Sequence, residues 1–252
     1  MTPGRELAGW RVLVPRGGAW GDRAAARLRE HGAVGVVAPV IDFAPSEHPE
    51  RLADAFARLA EGAFDWLVVS SATTVDVMVS LGIQVPETTR IAAVGETTSG
   101  ALTLAGYPVD FVPETDNSAR GFVRSWPAEP VGARVLVPQS ELNDPTLEAG
   151  LARLGFSAEF VTAYRTVGVP VTERVASDVA SGRIRAVLVS SGSVARQIAA
   201  QLAPLPEGTV VVCIGPRTAF DTRAAGLPVH AIAEERTSGS LVQALVDYAT
   251  DR

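Results

Sequence analysis

This chain is an internal duplication. Residues 91–109 recur as residues 211–229, at an offset of 120. The pentapeptide RVLVP occurs at 11–15 and again at 134–138, at an offset of 123. Two copies within 252 residues predict two domains of similar architecture, each of about 120 residues and large enough to bury its own core. The first offset pairs these identical residues: Gly95 with Gly215, Thr98 with Thr218, Ala105 with Ala225, Gly106 with Gly226, and Pro108 with Pro228.

Short apolar runs alternate with helical stretches in both halves, and this pattern predicts an α/β fold with parallel sheets covered on both faces. Two stretches are expected as extended connectors: 39–45, which has a proline at each end, and 164–170, which ends in a proline. The runs expected to form strands are 11–14, 34–38, 66–69, 91–94, 108–112, 134–137, 158–161, 186–189, 210–214 and 229–233.

The repeated units can be paired in two ways. They run over 11–38, 65–126, 134–162 and 185–249. In one arrangement the four units form two tandem domains, whereas in the other the middle two units form an inserted domain and the outer two pack together. Periodicity alone fits both. The two connectors favour the second arrangement, because each of them follows a unit that begins with RVLVP.

Residue usage excludes several kinds of chemistry. All 22 basic residues are arginine, so a Schiff-base lysine, a pyridoxal-phosphate site and a Walker-A lysine are ruled out. The single cysteine, Cys213, lies in an apolar run and is expected to be buried, which leaves no intrachain disulfide or thiolate metal site. His31, His48 and His230 do not have metal-ligand spacing, so we predict no metal site.

The charge and hydropathy patterns limit the partners. The net charge is −6 at pH 7 without a long basic run, so we expect no nucleic-acid partner. No apolar run approaches the roughly 18 residues of a membrane span, so we expect no membrane partner. The first ten residues, MTPGRELAGW, lack the profile of a secretion signal, which predicts a cytoplasmic protein.

Four expected strands run into small polar turns that precede helices. In a parallel sheet such turns lie at the carboxyl ends of the strands, where free N–H groups and helix dipoles can bind anions. Each turn can equally be a plain helix cap that satisfies backbone amides. Four such turns on two domains favour ligand binding in a cleft between them. The turns are Ser70-Ser71, Gly95-Glu96-Thr97-Thr98, Ser190-Ser191-Gly192-Ser193 and Gly215-Pro216-Arg217-Thr218.

Two further side chains have two possible roles each. Arg16, at the end of the first strand, fits either a surface charge or an anion ligand. Tyr164, in the second connector, fits either a core or rim aromatic or a functional phenol. The residues alone leave both questions open.

In sequence order and spacing, the chain resembles the uroporphyrinogen-III synthase family over nearly its whole length. The matching segments are RVLVPR at 11–16, the P-x-I of 39–41, DWLVVSSATTV at 65–75, IAAVGETTSGAL at 91–102, LARLGFSAEFVTAYRT at 151–166, AVLVSSGSV at 186–194, VVCIGPRTAFDTRAAG at 211–226 and ERTSGSLVQAL at 235–245.

The resemblance implies a fold and a reaction. The fold is two flavodoxin-like domains joined by two extended linker strands: residues 1–38 with 168–252 form one domain, residues 43–163 form the inserted domain, and the linkers are at about 39–42 and 164–167. The reaction cyclises hydroxymethylbilane, a linear tetrapyrrole, to uroporphyrinogen III with inversion of the last ring, and it uses no cofactor or metal. A monomer in transient contact with the enzyme that supplies hydroxymethylbilane is also expected.

The resemblance also implies a site. Tyr164 matches the catalytic tyrosine of the family, and the substrate-contacting turns match Ser70, Ser71, Thr98, Ser190 and Thr218. The candidate set is completed by Arg16, Gly95, Thr97, Ser191, Gly215 and Arg217. Two departures concern propionate binding: residues 137–141 lack a basic residue often found there, and Ala72 replaces a frequent proline. The alternative function is a non-catalytic two-domain module, for small-anion binding or for sensing, that uses the same cleft.

Overall fold

The computed structural model describes residues 4–127, 131–142 and 145–251. Its strands are β1 (Arg11–Val14), β2 (Val34–Val37), β3 (Ile41–Pro45), β4 (Trp66–Val69), β5 (Arg90–Ala93), β6 (Arg134–Ser140), β7 (Ser157–Gly168), β8 (Ala186–Val189), β9 (Val210–Cys213) and β10 (Ala231–Ile232). Its helices are α1 (Gly18–Glu30), α2 (Pro49–Ala60), α3 (Ala72–Ser80), α4 (Glu96–Leu104), α5 (Ala119–Ser125), α6 (Thr146–Arg153), α7 (Glu173–Ala180), α8 (Gly192–Leu202), α9 (Pro216–Ala224) and α10 (Ser238–Thr250). The predicted α/β class is confirmed.

The chain divides into two compact units. Unit 1 comprises Met1–Asp42 and Val167–Arg252, and unit 2 comprises Phe43–Thr166. The chain passes from one unit to the other between Asp42 and Phe43 and between Thr166 and Val167. Of the helices in the described ranges, none combines the length and the apolar character that a bilayer crossing requires.

Unit 1 contains a five-stranded sheet in the order β10-β9-β8-β1-β2, with parallel pairing throughout. Successive residues of each central strand point to opposite faces of the sheet and pack in different core clusters. In β8, for example, Ala186 and Leu188 pack in one cluster while Val187 and Val189 pack in the other. All four residues are fully buried. The central strands are continuous apolar runs because helices cover both faces of the sheet.

Unit 2 repeats this topology. Its sheet has the order β3-β7-β6-β4-β5, so β5-β4-β6-β7 corresponds to β9-β8-β1-β2 in unit 1. Strands β4 and β8, strands β5 and β9, and helices α4 and α9 begin and end 120 residues apart. Helices α4 and α9 are each followed by glycine with positive φ, Gly106 (86°) and Gly226 (81°), a conformation in which a side chain would be strained. The sequence duplication is therefore a structural duplication.

Both connectors belong to strands, which differs from the expectation. The first contains β3, which ends at Pro45, and the second lies largely within the long strand β7. β3 is an edge strand, and an edge tolerates a proline because the missing N–H leaves no ladder partner unpaired.

The strand expected at 108–112 is only an isolated bridge between Ala92 and Phe111, and the one expected at 229–233 is shortened to β10. Side chains explain the shortening. The N–H of Ile91 donates to the carboxylate of Asp110 at 2.7 Å, and the N–H of Val211 donates to Nδ1 of His230 at 2.9 Å. Each side chain takes a strand donor that a longer neighbouring strand would have used.

Candidate active site

The turns predicted from the sequence lie at the carboxyl ends of neighbouring strands in each unit. In unit 2, Ser70 and Ser71 follow β4 and Gly95 closely follows β5, while Tyr164 lies in β7. In unit 1, Arg16 follows β1, Ser190 and Ser191 follow β8, and Gly215 closely follows β9. Because β9, β8 and β1 are adjacent, the predicted residues of unit 1 share one edge of its sheet, where open α/β sheets bind ligands.

Tyr164 is a core residue of unit 2 whose hydroxyl group contacts a second element. Its side chain is only 7% exposed and belongs to a core cluster of unit 2, where it packs edge-on against Phe43 with ring centroids 5.3 Å apart. Its hydroxyl oxygen is 3.1 Å from Oγ of Ser71. The ring is thus a core aromatic, and the hydroxyl group lies at the start of α3.

Ser71 is the N-cap of α3 and the centre of a small hydroxyl network. Its Oγ accepts a hydrogen bond from the Thr74 N–H at 3.2 Å and lies 3.0 Å from the Thr74 hydroxyl oxygen. A serine hydroxyl has one proton to donate and two lone pairs. Ser71 can therefore donate to Tyr164 while its Oγ still caps the helix, which leaves the phenolic proton available to another group.

At the Gly95 turn, one backbone N–H is already hydrogen-bonded to a side chain of the protein. Gly95 is the N-cap of α4 without a capping side chain of its own, and Oδ1 of Asn117 accepts the Glu96 N–H at 3.2 Å. Thr97 is exposed, whereas the side chain of Thr98 is 5% exposed. A ligand at this turn can reach Thr97 directly, but Thr98 contributes mainly to the packing beneath it.

In unit 1, Ser191 is the N-cap of α8, and its Oγ accepts the Val194 N–H at 3.2 Å. The adjacent Ser190 is half-buried. The guanidinium carbon of Arg16 lies 5.3 Å from the ring centroid of Trp20, a cation–π geometry. Ser191 therefore caps a helix through a lone pair of its Oγ, and its hydroxyl proton can still be donated to another group.

Helix α9 begins just after Gly215, with Pro216 in its first turn. Thr218 is buried, at 9% exposure, and its carbonyl oxygen accepts the hydroxyl of Thr222. Arg217 is 71% exposed at its side chain, and its Nε donates to Oδ1 of Asp221 at 3.3 Å. Arg217 is therefore an accessible cation of this turn, while Thr218 is an internal residue.

Sequence reasoning missed several residues at these turns. Asp221 lies four residues after Arg217, a spacing that favours an ion pair on a helix and could have been recognised. A side chain at Gly192 would crowd the Asp221 carboxylate, with Cγ only 3.0 Å from the new Cβ, so Asp221 would have to move. Asn117 and Arg236 reach their turns from distant loops, and no local pattern signals such a contact.

Comparison with known proteins identifies the family. The model of the family described as uroporphyrinogen-III synthase HemD matches residues 22–243. No curated protein matches the sequence significantly.

Solved structures agree in fold. A mutant uroporphyrinogen III synthase from the extremely thermophilic bacterium Thermus thermophilus is 20% identical, with a TM-score of 0.66, over 96% of this chain and 100% of that chain. A uroporphyrinogen-III synthetase from Helicobacter pylori is 13% identical, with a TM-score of 0.64, over 94% of this chain and 98% of that one. The resemblance in the sequence is confirmed by the family match: this chain belongs to the uroporphyrinogen-III synthase family.

Proposed function

We propose that this chain is a lyase that cyclises hydroxymethylbilane to uroporphyrinogen III, with inversion of the last pyrrole ring, in tetrapyrrole biosynthesis. The observation that carries the proposal is the family match over residues 22–243. The arrangement of Tyr164 and Ser71 adds support, because it supplies a proton donor at the edge of the sheet where ligands bind.

The proposed first step is loss of the substrate hydroxyl group. The electron pair of the pyrrole nitrogen expels the hydroxyl, the C–O bond breaks, and the phenolic proton of Tyr164 joins the leaving oxygen to form water. The hydroxyl of Ser71, 3.1 Å away, then donates to the phenolate that remains. The pyrrole does most of the activation, so a weak acid in the right position is sufficient.

The second step determines the isomer. The substituted carbon of the last ring, as the nucleophile, must attack the exocyclic carbon of the cation, and the new carbon–carbon bond gives a spiro intermediate, whereas closure without an enzyme gives the type I isomer. Control therefore comes from holding the two ends of the chain in position. We assign this task to the turns of both units, through Ser70, Gly95 and Thr97 in unit 2 and through Ser190, Gly215 and Arg217 in unit 1.

A protein of net charge −6 can bind this polyanion because binding depends on local donors. Charges farther apart than about 8 Å are largely screened at physiological salt. A helix N-terminus contributes roughly 0.3–1 kcal/mol to anion binding, so four of them fall short of the about 8 kcal/mol of a micromolar complex. Arginine contacts and burial of the pyrrole rings supply the rest in this proposal.

The proposal includes a monomeric cytoplasmic protein that meets the enzyme supplying hydroxymethylbilane only transiently. Free hydroxymethylbilane closes spontaneously to the wrong isomer, so a short transfer between the two enzymes favours the correct product. We also propose that the two units act as the two domains implied by the family resemblance.

The test is incubation with enzymatically generated hydroxymethylbilane, followed by oxidation of the products and analysis of their isomers. We expect the type III isomer in large excess over a control without the protein. Type I isomer alone, at the rate of the control, would contradict the proposal and favour a non-catalytic anion-binding module.

A further inference from the structure

The β9 turn of unit 1 and the β5 turn of unit 2 are copies that differ in charge. At the offset of 120, Thr97 corresponds to Arg217, and Asp116 corresponds to Arg236. The first residue of α4, Glu96, corresponds to Pro216 at the start of α9. At these three positions the copy in unit 2 carries two carboxylates and a threonine, whereas the copy in unit 1 carries two guanidinium groups and a proline.

Arg236 lies against the β9 turn, although it belongs to the loop between β10 and α10. Its Nε is 3.8 Å and its Cγ 3.9 Å from the position that a Cβ on Gly215 would take. In unit 2 the same place is taken by Asn117, whose Cβ is 3.2 Å from the corresponding position on Gly95. The loop that precedes α10 in unit 1 and the loop that precedes its counterpart α5 in unit 2 therefore both approach the glycine turn.

The two copies differ in how the first backbone N–H of the following helix is used. In unit 2 the amide oxygen of Asn117 caps the Glu96 N–H, so a donor that could hold an anion is already used. In unit 1, Pro216 has no N–H to cap. The side chain brought there is a cation, beside the positive end of α9, where the helix dipole disfavours positive charge and favours an anion.

The two arginines at the β9 turn differ in their acidic partners. Asp116, the counterpart of Arg236, is paired with Arg124 at 2.9 Å, but among residues 4–127, 131–142 and 145–251 no acidic side chain lies within ion-pair distance of Arg236. Arg217 contacts Asp221 through Nε only, at 3.3 and 3.4 Å. Its two terminal nitrogens remain available, and its side chain is largely exposed.

We propose that Arg236 and Arg217 together bind a carboxylate arm of the substrate at the β9 turn, and that the β5 turn of unit 2 does not bind one. This inference rests on the proposed function, which supplies a substrate with acetate and propionate arms. A planar guanidinium group matches a carboxylate with two parallel hydrogen bonds. The two guanidinium groups and the positive end of the α9 dipole repel one another, and an anion bound between them offsets this repulsion. At the β5 turn, the carboxylate of Glu96 would instead repel it.

The experiment compares Arg236→Thr, Arg217→Thr and the double variant in the cyclisation assay. Threonine is the residue that unit 2 carries at position 97. The matched control is Arg223→Thr, which removes the same charge from the last turn of α9. Arg217, Arg223 and Arg236 are exposed, so all the variants are expected to fold, and their thermal unfolding verifies this.

We expect each single substitution at the turn to raise KM for hydroxymethylbilane about tenfold, with kcat changed less than about threefold, because a binding contact common to substrate and transition state is lost. The control should stay within about twofold of the wild-type KM, because its charge lies at the far end of the helix. Added salt should raise the KM of the wild type more steeply than that of the double variant.

Two failures are distinguishable. Wild-type protein that forms only the type I isomer overturns the proposed function and this inference with it. Wild-type protein that forms the type III isomer, together with a folded Arg236→Thr variant of unchanged KM, overturns this inference alone.

Discussion

The hydroxyl oxygens of Tyr164 and Ser71 lie 3.1 Å apart, which joins strand β7 to the first turn of α3. Unit 1 has the same cap without the phenol: Ser191 caps α8 as Ser71 caps α3, and the position matching Tyr164 at the offset of 123 is Ile41. The duplication therefore separates two properties that coincide at Ser71, namely helix capping and support of a phenol.

Replacing Tyr164 by phenylalanine should slow formation of the type III isomer about 10²-fold without abolishing it, because a positioned general acid contributes at least that much while the pyrrole drives the departure of the hydroxyl. Single-turnover rates measure the effect. Tyr107→Phe is the matched control. It removes a hydroxyl that donates to the Ile83 carbonyl at 2.8 Å, so it should cost about 1 kcal/mol of stability with little effect on the rate. A folded Tyr164→Phe protein with no activity, or with wild-type activity, would contradict this account.

Ser71→Ala and Ser191→Ala should destabilise the protein by similar amounts, about 1 kcal/mol each, because each removes an N-cap. Only Ser71→Ala should also lower kcat, by about tenfold, since Tyr164 loses the partner that orients its hydroxyl and stabilises its anion. Denaturant unfolding and initial rates give the two quantities separately. Equal kcat values for the two variants would show that Ser71 acts only as a cap.

Gly150→Ala should destabilise unit 2 by about 1–3 kcal/mol through overpacking between α5 and α6. A Cβ at Gly150 would overlap the side chain of Val123, with Cγ1 at 2.7 Å. The double variant Gly150→Ala with Val123→Ala should recover part of the loss. Gly100→Ala is the control of opposite sign: its Cβ would meet no atom of the described residues within 4 Å, and alanine in a helix gains up to about 1 kcal/mol over glycine. Thermal unfolding of the wild type and the three variants tests the contrast.

Acid should remove a stabilising contribution from Glu6. The His31 ring, at 2.9 Å, and the backbone N–H groups of Glu6 and Gly4 lower the pKa of the Glu6 carboxyl from 4.5 to about 2. A lowered pKa in the folded state stabilises the protein above the unfolded-state value, and the stabilisation is lost as pH falls from about 4.5 towards about 2. Glu6→Gln should therefore be less stable than the wild type at pH 7, with a difference that shrinks over that interval. A difference that does not vary with pH would rule out this titration.

The sequence predicted the central elements well because their signals are local. Strands β4 and β8 are apolar runs followed by serine turns. Because they are copies of each other, the same signal occurs twice in the chain. The sequence did not predict β3, because Pro39 and Pro45 suggested a connector and a five-residue edge strand has no strong periodicity of its own.

Contacts between distant segments could not be read from the sequence. The hydrogen bond between Tyr164 and Ser71 and the approach of Arg236 to Gly215 depend on which strands become neighbours, and local patterns do not specify this. The buried positions of Thr98 and Thr218 were missed for a related reason. Their polar side chains indicated a turn, although helix packing places them inside.

The side chains of Asp110 and His230, which shorten the last strand of each copy, also affect how the sheets meet other molecules. A sheet edge with free N–H groups is a template for a strand from another chain, and this is a common route to aggregation. Asp110 and His230 occupy one such donor each, at Ile91 and Val211. At this border each sheet therefore presents one donor fewer to a strand from another chain, although its own border strand is short or reduced to a single bridge.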